Sequence, residues 1–70
     1  MNRQPVSSSN VRSVGYDSAS STLEVAFHNG GVYQYFGVPS TVYAGLMAAA
    51  SKGRYLHHYV KGRYRYSKVF

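Results

Sequence analysis

Thr22-Leu23-Glu24-Val25-Ala26-Phe27-His28-Asn29-Gly30-Gly31-Val32-Tyr33-Gln34-Tyr35-Phe36 decides the fold. Its first seven residues alternate, with Leu23, Val25 and Phe27 on one face of a strand and Thr22, Glu24, Ala26 and His28 on the other. Asn29-Gly30-Gly31 supplies residues that tolerate positive φ, and Val32 to Phe36 reads as the return strand of a hairpin. Loop length then decides where the tyrosines go. A two-residue loop, Asn29-Gly30, sets Phe27 opposite Val32, joins Gln34 to the Leu23/Val25/Phe27 face and leaves Tyr33 and Tyr35 on the other. A three-residue loop, His28-Asn29-Gly30, with Gly30 left-handed at a bulge, moves the register by one and brings Tyr33 and Tyr35 beside Leu23, Val25 and Phe27. The three-residue loop is preferred because it sorts Glu24 and Gln34 onto one side and apolar residues onto the other. Tyr33 and Tyr35 are then core-face residues first, and a ligand platform only if their hydroxyls reach an edge.

Working outward toward the N-terminus, Val11 to Asp17 reads as a preceding strand, closed by the turn-rich Asp17-Ser18-Ala19-Ser20-Ser21. Residues 1–10 are polar and read as a flexible leader to a single domain over residues 11–70. Toward the C-terminus, Gly37-Val38-Pro39-Ser40 breaks the hairpin, and Pro39 or Ser40 can open a helix over Thr41 to Ala50. In that helix Val42, Leu46 and Ala49 or Ala50 form a core stripe with Tyr43 and Met47 alongside, and the small Gly45 allows a close approach to the sheet. Ser51 can cap a second helix, Lys52 to Lys61, whose apolar stripe is Tyr55, Leu56, Tyr59 and Val60. Gly62 ends it. The tail, Arg63-Tyr64-Arg65-Tyr66-Ser67-Lys68-Val69-Phe70, alternates cation and ring, consistent with a short edge strand whose tyrosines face in and whose cations face out. The fold class is α+β: a small antiparallel β-meander of about three strands packed by one or two C-terminal helices, with the tail as a candidate edge strand.

A chain of 70 residues builds one core, burying roughly 60% of its unfolded surface. Hydrophobic residues at 44% and aromatics at 16% supply the material, with eight Tyr, three Phe and no Trp. Cysteine is absent, which removes disulfides and thiolate metal sites and argues against a small secreted scaffold. The N-terminal stretch has no apolar signal core, and no segment reaches the length needed to cross a bilayer. The expectation is a cytoplasmic protein without a membrane partner.

Eight Lys+Arg against two acids give a net charge of +6. Lys52, Arg54, Lys61, Arg63, Arg65 and Lys68 all follow Ser51, whereas Asp17 and Glu24 lie in the first half. Such an asymmetric cluster attracts polyanions through counterion release and long-range steering. Two plainer readings stand beside that one: a solvated basic face, or an edge strand whose cations discourage strand-to-strand aggregation.

The residues for catalysis are sparse. Asp17 falls in a turn and Glu24 in a strand, with no third carboxylate to assist either. His57 and His58 are adjacent and point about 100° apart on a helix, so they do not share a metal, and His28 is distant in sequence. A metal-independent ribonuclease using His28 or His58 with Lys61 or Arg63 is conceivable, yet no spacing demands it. Gly30-Gly31 is a hairpin turn and Lys52-Gly53-Arg54 has no P-loop context. No catalytic residue, metal or cofactor is assigned.

The order Leu23-x-Val25-x-Phe27-x-Asn29-Gly30, Tyr33-x-Tyr35, Val38-Pro39, then Ala50-Ser51-Lys52-Gly53-Arg54-Tyr55 resembles the KTSC domain. The likeness runs from Val11 to Tyr66. That family is named for its occurrence at the C-terminus of some lysyl-tRNA synthetases and also exists as short stand-alone bacterial proteins. The resemblance implies a non-catalytic module and agrees with an RNA partner.

The candidate nucleic-acid-binding residues are therefore Lys52, Arg54, Lys61, Arg63, Tyr64, Arg65, Tyr66 and Lys68, cations for phosphates and rings for unpaired bases. The expected ligand is RNA, either tRNA or a single-stranded or looped segment. Tyr33, Tyr35, Tyr55 and Tyr59 are expected in the scaffold, while Tyr64 and Tyr66 divide evenly between core and stacking roles. The alternative is a protein-interaction or self-associating domain, homodimeric in its simplest form, that does not bind nucleic acid.

Overall fold

The computed structural model describes residues 1–70. Five strands, β1 (Gln4–Pro5), β2 (Val11–Asp17), β3 (Thr22–Phe27), β4 (Val32–Tyr35) and β5 (Tyr66–Lys68), form one antiparallel sheet in the order of the chain. Two helices, α1 (Ser40–Ala48) and α2 (Lys52–Tyr59), lie between β4 and β5 in sequence. The class is α+β, but the sheet has five strands rather than about three. The tail supplies β5 on β4, and Gln4 and Pro5, within the expected leader, pair with Val14 and Ser13. A two-residue strand carries no periodicity, so only its hydrogen-bonded neighbour reveals it.

The β3–β4 hairpin takes the three-residue loop. Leu23 pairs with Tyr35 and Val25 with Tyr33, while the Phe27 amide donates to the Gly31 carbonyl at 2.8 Å. Gly30 carries the positive φ of +98° that the bulge requires. Tyr33 and Tyr35 accordingly share a face with Leu23, Val25 and Phe27. A second irregularity lies between Val11 and Ser13, where β2 gains a residue against Phe27 and Ala26. That extra residue puts Val11 and Val14, three apart, on the same face, and both are fully buried.

The helices cover this face. Val11, Val14, Leu23, Val25, Tyr35 and Val38 pack with Leu46 of α1, with Leu56 within α2 and with Val60 just beyond its end. Ser51 caps α2, its hydroxyl accepting from the Arg54 amide. The helix ends at Tyr59 rather than at Lys61, because the amides of Val60 and Lys61 both donate to the Leu56 carbonyl and Gly62 then turns the chain. Gly45 does permit a close approach, but to α2 rather than the sheet: a Cβ there would lie 2.9 Å from Tyr55 Cζ. Tyr16 and Tyr43 stack with centroids 4.8 Å apart, and the Tyr16 hydroxyl donates to the Val38 carbonyl.

The opposite face carries Ser13, Thr22, Glu24 and Gln34. The N-terminal segment crosses it, with Arg3 Nη1 2.8 Å from Glu24 Oε2 and Gln34 Nε2 donating to Glu24 Oε1 at 2.8 Å. This pairing accounts for a carboxylate residue only 7% exposed in the middle of a sheet.

Candidate functional site

Where the sheet's apolar face runs past the edge of the helices, a cleft of about 310 Å³ opens, lined by Phe27, Asn29, Tyr33, Tyr35, Lys61 and Tyr66. Three local features build it. The hairpin register aligns Phe27, Tyr33 and Tyr35. Pairing of β5 with β4 places Tyr66 across from Tyr35 and Lys68 across from Tyr33. The chain leaving α2 brings Lys61 over the hairpin tip, with Nζ 5.4 Å from the Phe27 ring centroid.

The rings make a connected cluster. Tyr66 lies 5.8 Å from Tyr33 and 5.9 Å from Tyr35, tilted by 47° and 40°, and Phe27 meets Tyr33 edge-on at 5.7 Å. Tyr35 is nearly buried and lines the cleft. Burial, with lesser contributions from the neighbouring Tyr33 and Tyr66, raises the Tyr35 pKa above its ordinary value of 10.0. A second hollow of about 400 Å³ continues past Phe27, Asn29 and Lys61 to Ser9, Asn10, His28 and Gly53.

Neither acid shares this face. Glu24 lies on the other side of the sheet, paired with Arg3, and Asp17 caps the β2–β3 turn at the far end of β3. The cations Lys61 and Lys68 thus flank aromatic surface with no Asp or Glu side chain beside them.

The eight candidate residues separate into groups. Lys61 and Tyr66 line the cleft, and Lys68 lies beside it, across from Tyr33. Arg63, Tyr64 and Arg65 line an adjoining shallow hollow that also touches Tyr66. Within it Arg63 Nε donates to the His58 carbonyl at 3.1 Å, and Tyr64 turns inward against the core. Tyr64 and Tyr66 thus divide: Tyr64 is half-buried, whereas Tyr66 is 62% exposed. Lys68 lies on the same face as Tyr66 rather than facing out alone, since the two are two residues apart in β5. Arg54 stands away from this cluster on the first turn of α2, beside Tyr55 and Tyr59. Lys52 is engaged within the fold, Nζ donating to the carbonyls of Met47 at 3.0 Å and Ala49 at 2.6 Å at the end of α1.

One tyrosine assignment changes. Tyr59, expected in the scaffold, is 53% exposed with its ring 4.7 Å from that of Tyr55, because Leu56 and Val60 alone complete the buried stripe. Tyr33 and Tyr35 are both scaffold and cleft wall. Phe27 and Asn29 join the site although neither is a cation or a tail residue, and the three-residue loop is the signal in the sequence that places Phe27 beside Tyr33. No hollow contains two histidines, and no three His, Cys, Asp or Glu side chains gather.

Comparison with known proteins agrees with this architecture. The KTSC domain model matches residues 7–64. A lysine–tRNA ligase of Trichormus variabilis is 41% identical over 59 residues, covering 84% of this chain and 10% of the ligase. A short protein of Tsukamurella paurometabola is 44% identical over 62 residues, covering 89% of this chain and 92% of its own length. The crystal structure of a KTSC domain protein from Yersinia pestis superposes with a TM-score of 0.95 at 43% identity, covering 99% of this chain and 97% of that one.

Proposed function

The chain belongs to the KTSC domain family, and from that premise we propose that it is a non-enzymatic RNA-binding module for single-stranded or looped RNA, working in the cytoplasm. The observation that carries this reading is the open aromatic cleft with Lys61 in its wall and Lys68 beside it, on a face without Asp or Glu side chains. Cations beside exposed rings suit a polymer that alternates phosphate and unpaired base. Arg63 and Arg65 extend the positive surface from the cleft along the loop before β5. The presence of the same domain within lysine–tRNA ligases adds support for a tRNA partner.

Fluorescence anisotropy with tRNA and with single-stranded RNA across a salt series tests it. Binding is expected at low salt, falling as salt rises and weakened by Arg63→Ala combined with Arg65→Ala. No binding at low salt, or binding indifferent to both substitutions, overturns it. Equal affinity for any polyanion reduces the activity to electrostatics alone.

A second reading rests on the outer edge of β5, whose backbone groups beside Tyr66, Ser67 and Lys68 border no further strand. A partner strand could add there, from another protein or a second copy. A monomer in sedimentation would remove the self-associating version.

A further inference from the structure

We propose that the cleft between the β3–β4 hairpin and β5 is a slot for one unpaired nucleobase, stacked on Tyr66, with its phosphate held by Lys61. This deepens the RNA-binding reading and rests on it.

Shape and chemistry both bear on the occupant. A volume of about 310 Å³ lies at the lower end of the ~300–1,000 Å³ typical of small-molecule sites, which suits one nucleotide and not a helix. Tyr66 is exposed, and its tilt of 40° and 47° against Tyr35 and Tyr33 makes a wedge rather than a closed stack. A ring face is thus left for a planar ligand. At the rim, the Asn29 Oδ1 accepts from the Gly31 amide at 2.9 Å, which leaves the side-chain NH2 to donate to a base acceptor.

Charge settles the second half of the ligand. In the free protein Lys61 rests over Phe27 at 5.4 Å, a weak contact for an exposed ammonium. It borders both this cleft and the hollow containing Ser9, Asn10 and His28. A phosphate between the two hollows meets Lys61 whichever side the base enters, and Lys68 lies across the strand pair from Lys61's cleft, beside Tyr33. An apolar peptide side chain would use the rings but leave these cations idle.

The test combines a mononucleotide titration with a base-deletion series. Uridine 5′-monophosphate added to the labelled protein is expected to shift the amide resonances of Gly31, Tyr33 and Ser67 saturably. Tyr66→Ala is expected to weaken single-stranded RNA binding by about tenfold or more and Tyr66→Phe to retain it, while heparin binding is unaffected by either. An abasic substitution in a short oligonucleotide is expected to reproduce the loss at one position. Since Tyr66 is exposed, a thermal melt of Tyr66→Ala reports a folded protein. If RNA binds but abasic oligonucleotides and Tyr66→Ala show undiminished affinity, the slot is overturned and the RNA-binding reading stands. If the mononucleotide shifts map to the cleft but no RNA binds, the slot stands as a nucleotide site and the RNA-binding reading is lost. Shifts elsewhere, with no Tyr66 effect, overturn the slot.

Discussion

Lys61 Nζ lies over the Phe27 ring, 5.4 Å from its centroid, joining the chain just past α2 to the tip of the β3–β4 hairpin. An exposed cation–π contact of this kind contributes about 0.5–1 kcal/mol. Lys61→Ala is therefore expected to lower the melting temperature by only a few degrees, while reducing the salt slope of RNA binding by about one. Lys61→Arg restores both. An unchanged slope in the alanine variant would place Lys61 off the phosphate path.

Lys52 behaves oppositely. Its ammonium donates to the Met47 and Ala49 carbonyls, satisfying groups that the end of α1 leaves open. Lys52→Ala should cost about 1 kcal/mol, or roughly 4–8 °C in a domain of this size, with RNA affinity reduced less than by Lys61→Ala. Thermal unfolding and anisotropy on the same two variants check the contrast.

Tyr35 sets a dependence on alkaline pH. Its folded pKa lies above the unfolded value, so the native state holds that proton more tightly. The resulting stability is fully present below about pH 10 and is lost as pH rises through the folded pKa. Urea unfolding should show Tyr35→Phe losing less stability than the wild type between about pH 9 and pH 11, the range of phenol ionisation. Equal losses in the two proteins contradict the shift.

Glu24 depends on the N-terminal segment. Arg3→Ala leaves its carboxylate with Gln34 alone and is expected to cost about 1–3 kcal/mol. Adding Glu24→Gln to Arg3→Ala should recover part of that loss, since no buried charge is then left unpaired. Additive losses in chemical denaturation would show that the pair is not coupled.

Much of this protein is readable along the chain. The alternation of Thr22 to Phe27, the Asn-Gly-Gly turn and the preference for keeping Glu24 with Gln34 were sufficient for the hairpin register, and so for the shared face of Phe27, Tyr33 and Tyr35. Ser51 announced the start of α2, and the crowding of cations after it is a property of composition alone. These signals are local: each depends on side-chain period, turn conformation or a cap within a few residues.

What the tertiary structure decided is which separate segments meet. Pairing of β5 with β4 carries Tyr66 and Lys68 to the hairpin's aromatic face, and the turn after α2 carries Lys61 there, across more than thirty positions of sequence. The same long-range packing removed Lys52 from the free cations, turned Tyr64 inward, left Tyr59 outside and laid Arg3 on Glu24. Side-chain period states which residues share a face of their own element. Which element then covers that face, or leaves it open as a cleft, depends on contacts between segments that no local pattern encodes.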